Sequence, residues 1–292
     1  TGVQTCALPI SCTISTGTLS WNTVNVNTNT TTTITLGANF KVATTFAVFN
    51  GTSLTVNLGV NTFDASTATM SFGSGALSGT TSFTCNGTIT CTNLTNNCPL
   101  NNMVLTLNGT TFNITGNFTI NNTGGGTASM SGTSTLNFTG TGSISYPNYA
   151  SFTTNVSNNI TINTSGTITF LTGLYYQTGT LTYTAGTVIT TGFTLYLTGT
   201  STLNTSGMGT TTNAWNNVTF GGTSQTFTLS SNLTLTGTLS FAGATTTTIN
   251  NNTINAGGNL TITSTATISG TTNIVLNGTG TWNHTVVGYL TR

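Results

Sequence analysis

The side chains able to do acid, base, nucleophilic or metal chemistry are few enough to name: Asp64, Lys41, Arg292, His284 and five cysteines, Cys6, Cys12, Cys85, Cys91 and Cys98. Glycoside hydrolysis ordinarily needs two carboxylates a few ångströms apart, and this chain has one Asp and no Glu. A calcium-assisted lyase needs a base beside several acidic ligands, a set that Lys41 and Asp64 do not make. A Ser-His-Asp triad would have to join Asp64 to His284, 220 residues further on. The expectation is therefore a chain that is no enzyme, with no catalytic residue, no cofactor and no metal. Asp64 is expected to cap a turn after Phe63, and His284 to sit in a turn after Trp282.

The cysteines and tyrosines are the remaining candidates. Cys85, Cys91 and Cys98 are spaced C-x5-C and C-x6-C, unlike the short pairs of zinc sites, and the one His lies far beyond them. Two readings stand side by side. In one, a disulfide among the three clips a loop insertion near residues 85–101 in an oxidising extracellular setting. In the other, they are buried free thiols acting as small apolar groups. Tyr175, Tyr176, Tyr183 and Tyr196 form the aromatic cluster of the chain. Tyr176 and Tyr196 lie one expected coil apart, so an outward pair would offer faces for stacking on a sugar ring.

The elements that hold these residues follow from composition. Thr, Asn and Gly number 81, 38 and 35 of 292 residues, so more than half the chain is uncharged strand and turn former. With 35% hydrophobic residues and three Pro, there is enough apolar material for a core. Charged residues are 1% of the chain and the net charge is +1, which leaves no basic surface for nucleic acid. No apolar run is long enough to cross a bilayer, and direct membrane insertion is not expected.

Apolar residues alternate with Thr in short runs. Leu233, Leu235, Leu239 and Phe241 alternate with Thr234, Thr236, Thr238 and Ser240 around Gly237, and Phe193, Leu195 and Leu197 behave alike. This is strand periodicity with the apolar set inward, and no stretch has a helical period. A motif of Asn, apolar, any, apolar begins at Asn39, Asn117, Asn159, Asn232 and Asn259. A longer echo runs through Trp21–Val24, Thr92–Leu94, Thr154–Val156, Trp215–Val218 and Trp282–Thr285, in steps of 62–70 residues. Three strands and three short turns make a coil of ~20 residues, so each step should hold about three coils of a β-solenoid. On this reading the Trp residues mark equivalent repeat positions.

Stretches such as LTLTGTLSFAGATTTTINNNTINAGGNLTITSTATISG resemble the Thr/Asn/Gly-rich β-strand-repeat proteins of bacterial surfaces, among them autotransporter passengers and filamentous haemagglutinin-like adhesins. The resemblance covers most of residues 12–292 and lies in texture. It implies an all-β, right-handed parallel β-helix, secreted or attached at the cell surface, with a structural or adhesive role. Self-association, extracellular matrix, surface glycans and ice are the partners it leaves open. Ice enters because outward pairs such as Thr226/Thr228, Thr234/Thr236 and Thr261/Thr263 could form hydroxyl arrays; glycans enter through the Tyr cluster. The opening TGVQTCALPI matches the in-frame translation of a common short-read sequencing adapter. Residues 1–11 are therefore expected to be non-native, and residues 12–292 one solenoid fragment of metagenomic origin, truncated at the N-terminus and at the C-terminus.

Overall fold

Alternating Thr and apolar residues can be satisfied only where each strand has one face in a core, and stacking successive coils provides such a core. The computed structural model describes residues 4–6, 12–14, 19–27, 31–49, 53–73, 79–97, 103–121, 128–145, 155–156, 158–171, 173–198, 201–206, 208, 213–222, 225–242, 247–250, 252–262 and 268–284. Among them every element is a β-strand, and the paired strands run parallel in a β-solenoid with a spacing of ~23 residues. Two compact units divide at Asn158 and Asn159.

In the first unit each coil visits three parallel walls. Thr31–Leu36, Ser53–Asn57 and residues 79–84 stack in the first wall. Leu19, Phe40 and Phe63 stack in the second. Val24, Phe46, Met70, Leu94, Phe118 and Ile144 form one column of the third. Val24 to Leu94 is thus three coils, which accounts for the longest step of the sequence echo. Even Gln4–Cys6, within the adapter-like segment, pairs with residues 24–26.

The coil is longer than the expected ~20 residues because strands run on through corners. Strand Phe63–Phe72 turns at a register shift between Ala65 and Thr69, and strand Gly79–Asn97 shifts between Thr84 and Gly87. The loop insertion expected near residues 85–101 is corrected by that second strand: Cys85 to Asn97 continue the ladder. The second unit repeats the plan. Gln225–Leu229, Leu233–Leu235 and Leu239–Ala242 pair with Thr247–Asn250, Thr253–Ala256 and Leu260–Ile262, one coil later.

Inside each unit, the coils contribute apolar residues to a core. In the first unit phenylalanines touch from coil to coil, with ring centroids 5.1 Å apart for Phe40 and Phe63, 5.4 Å for Phe72 and Phe83, and 5.9 Å for Phe83 and Phe112. In the second, Phe170 meets Phe193 and Trp215, and Phe220 meets Phe227 and Phe241. Leu233, Leu235, Leu239 and Phe241 are all buried, as their alternation with Thr and Ser requires.

The tryptophans are not equivalent. Trp215 is buried beside Phe170 and bridges to Leu235, whereas Trp282 stands in the column of Val218, Leu239 and Leu260 and is 57% exposed. The expected equivalence fails because the echo counts residues, while the ladder aligns Trp282 with Val218, three positions after Trp215.

Candidate functional surface

The corner asparagines explain the recurring Asn motif. Each Asn immediately precedes or begins a strand, and its Oδ1 accepts the backbone N–H of the equivalent corner one coil on. Asn39 accepts from Thr62 at 3.1 Å, Asn117 from Ser143 at 2.9 Å and Asn159 from Thr180 at 3.1 Å. Asn232 accepts from Thr253 at 2.9 Å and Asn259 from Thr281 at 2.8 Å. Corner amides that the ladder leaves open are thereby satisfied, which a buried or half-buried backbone requires. Asn252, at φ 64°, shows the second use of Asn, as a non-glycine residue tolerating the left-handed region at a corner.

Outward side chains also bond along the stack. Asn121 donates to Asn97 at 3.1 Å and Asn137 to Asn113 at 2.9 Å; Ser82 donates to Ser53 at 2.7 Å. The charged residues obey the same geometry. Lys41 and Asp64 are register partners in neighbouring coils, and Lys41 Nζ lies 3.3 Å from Asp64 Oδ2. Asp64 caps the corner after Phe63, as expected: near the start of strand Phe63–Phe72 its Oδ1 accepts the Ser66 N–H at 2.9 Å, where the strand turns between Ala65 and Thr69. Hydrogen bonding to Ser66, helped by Lys41, lowers its pKa against a smaller opposing effect of burial. His284, by contrast, is not in a turn but in a strand, Trp282–His284, its backbone paired with Ile262, because the ladder carries on past Trp282. Arg292 lies outside the described residues.

Cys85 and Cys91 are fully buried free thiols. They occupy inward positions of one strand, following Phe83 and Ile89 in alternation, and burial pushes their pKa values up to about 11 and about 12. Cys98 is outside the described residues. Cys12 shares the register column of Ile34, Val56 and Cys85, three coils or about 14 Å from Cys85 and beyond disulfide reach.

The four tyrosines do not form one surface. Tyr183 faces inward with Leu181, and its hydroxyl donates to Gly186 O at 2.7 Å and accepts from Asn213 Nδ2 at 2.9 Å. That burial removes it from the expected ligand-facing set. Tyr196 faces outward between Leu195 and Leu197 and lies over Gly221, where any side chain would collide with its hydroxyl. Tyr176 is its register partner, with Tyr175 beside it, and the side chains of both are outside the described residues.

The named Thr pairs are also dispersed. Thr226/Thr228 and Thr234 lie on consecutive strands of one coil, Thr236 just past the end of the second, and Thr261 on a third wall; Thr263 is outside the described residues. A more regular array lies elsewhere. On the first wall of the first unit, Thr31, Ser53, Ser82, Thr106 and Ser131 form one outward column, and Thr33, Thr55, Thr84 and Asn108 the next. Sequence reading missed it because its steps, from 31 to 53, 82, 106 and 131, are uneven. The signal that finds it is the recurring hydroxyl-x-hydroxyl pair, Thr31/Thr33, Ser53/Thr55 and Ser82/Thr84, on successive strands of the first wall.

No family model, no characterised protein and no solved structure matches this chain.

Proposed function

We propose that this chain is a non-catalytic β-solenoid with a structural or adhesive role in a secreted or cell-surface bacterial protein. The observation that carries the reading is the use of outward side chains: Asn, Ser and Thr bond along the stack, where most protein surfaces present mixed charge. Such a surface is built for repetition and durability, and it leaves few groups with acid-base function. The titratable pair is spent on itself, Lys41 against Asp64 across two coils. The resemblance to bacterial surface repeats supports an extracellular setting, with matrix, surface glycans or further copies of the chain as partners.

The test is a solid-phase assay of the purified chain against immobilised matrix proteins and polysaccharides, run beside a reducing-sugar assay on the same polysaccharides. Saturable binding without turnover supports the adhesive arm, and a folded, protease-resistant chain that binds none of them supports the structural arm. Turnover of any glycan refutes the reading.

A further inference from the structure

We infer that the first wall of the first unit is a surface that binds ice, an inference independent of the structural or adhesive role. Its two outward columns, Thr31, Ser53, Ser82, Thr106, Ser131 and Thr33, Thr55, Thr84, Asn108, hold hydroxyls at every position but one. The strand pairings that build the array carry no register shift between these residues, so the rows are straight. Hydroxyls repeat every ~4.8 Å along the stack and about 6.6 Å along each strand, the two spacings of a parallel sheet. The surface is therefore a two-dimensional lattice.

Ice is the occupant because it too is an uncharged lattice of alternating donors and acceptors. Each hydroxyl has one donor and two acceptor positions. Ser82 donates to Ser53 at 2.7 Å, and Thr106 and Ser131 are 3.2 Å apart, so bonds within the column orient the hydroxyls while acceptor capacity remains for water. The Thr methyls, with Val104 at 40% exposure in the flanking column, make the face part apolar. Charge would hold a disordered hydration shell, and the described residues of this wall carry none.

The other two walls differ. The second presents Ser20, Lys41, Asp64, Thr90, Asn113 and Asn137 in one column, so it holds the ion pair and an amide ladder. The third begins with Thr23, Thr45 and Thr69 but passes to Asn93, while its neighbouring column starts with Asn25 and buried Ala47 and reaches hydroxyls only at Ser71, Thr95, Thr119 and Ser145, so the two columns hold strand hydroxyls side by side only at Thr69 and Ser71. Among the described residues of the first unit, hydroxyls fill two adjacent columns over several successive coils on the first wall alone.

The experiment uses the full chain, fluorescently labelled, in two assays: incorporation into a slowly growing ice hemisphere, and inhibition of recrystallisation in a frozen sucrose film. The chain should enter the ice and suppress recrystallisation. Thr84→Lys and Thr55→Tyr, at the centre of the lattice, should each raise the concentration needed by about tenfold or more, equivalent to 1.4 kcal/mol. Thr69→Lys, the matched change on the third wall, should leave it unchanged. Circular dichroism checks each fold; if Thr84→Lys unfolds, Thr84→Val keeps the β-branched shape and reads the hydroxyl alone. Exclusion of the wild-type chain from ice overturns the inference. So does an equal loss in Thr69→Lys, or retention on crystalline cellulose or chitin with no effect on ice.

Discussion

Replacing Asn117 with Ala removes an acceptor that the next coil uses twice: the N–H and the hydroxyl of Ser143 each donate to its Oδ1 at 2.9 Å. Hydrogen bonds of this kind contribute about 0.5–1.5 kcal/mol each, net of the water they replace. Asn117 is exposed at its corner, so water recovers part of the loss, and a total of about 1–1.5 kcal/mol is expected. In chains of this size that corresponds to a fall in Tm of roughly 2–6 °C. The substitution Asn117→Asp keeps a carboxylate oxygen in the acceptor position, so this variant should lose less than half as much. Thermal melting by circular dichroism gives the global figure, and amide hydrogen exchange gives the local one. Exchange at Ser143 should accelerate in Asn117→Ala while the amide of core residue Phe112 stays protected. Equal destabilisation by Ala and Asp, or unchanged exchange at Ser143, would refute the assignment of the motif to corner capping.

Gly132→Ala tests a corner in which backbone conformation and space act together. Gly132 has φ 111° and its added Cβ would run into the carbonyl oxygen of Leu107, so a loss of about 1–3 kcal/mol is expected in urea unfolding. Cys85 and Cys91, with thiol pKa values pushed up to about 11 and about 12, should resist a thiol reagent at pH 8 in the folded chain and react in denaturant. Fast labelling of either without unfolding would contradict their burial. Asp64 has a folded pKa below its ordinary 3.8, so its contribution to stability is complete above that value and fades as pH falls through the lowered one. Asp64→Asn should flatten the acid limb of a stability profile below about pH 4 and leave the profile above about pH 6 unchanged in shape; its half-exposed pair with Lys41 keeps the effect small.

Strand character and the inward set were legible because alternation is a local property. Leu195 and Leu197 bracket Tyr196, which fixes that ring outward, and Leu181 and Tyr183 share parity, which already places Tyr183 inside. Phe83 with Cys85, and Ile89 with Cys91, gave the same signal for the thiols, and it outweighed the irregular look of the segment that suggested a loop. Coil length was legible only in part: Val24 to Leu94 and Val218 to Trp282 are three coils each, but Leu94 and Val156 stand on different walls. Corners in this chain are partly made by register shifts inside long strands, as at Thr84 to Gly87, and such shifts have no turn residue to announce them consistently. The hydroxyl lattice was hidden for the same reason: the step from Ser53 to Ser82 is longer than its neighbours, so the column has no fixed sequence period although its spacing in the sheet is uniform.

Stacking explains part of the chain's neutrality and leaves a part that points to use. Identical positions recur every ~4.8 Å along a column, where two like charges in water repel by about 1 kcal/mol, and by more at a protein surface. A column of one sign is therefore unfavourable, while a column of Asn or Ser can bond along its length, as Asn113 to Asn137 and Ser82 to Ser53 do. Opposite charges are nonetheless tolerated at stacked positions: Lys41 over Asp64 is such a pair. Alternating signs would thus have satisfied the ladder equally well, and stability alone does not require the first wall to lack them. What distinguishes that wall is neutrality joined to straight rows of hydroxyls. Contact with an uncharged, ordered surface, as inferred above for ice, would account for both features, whereas stacking accounts for only one.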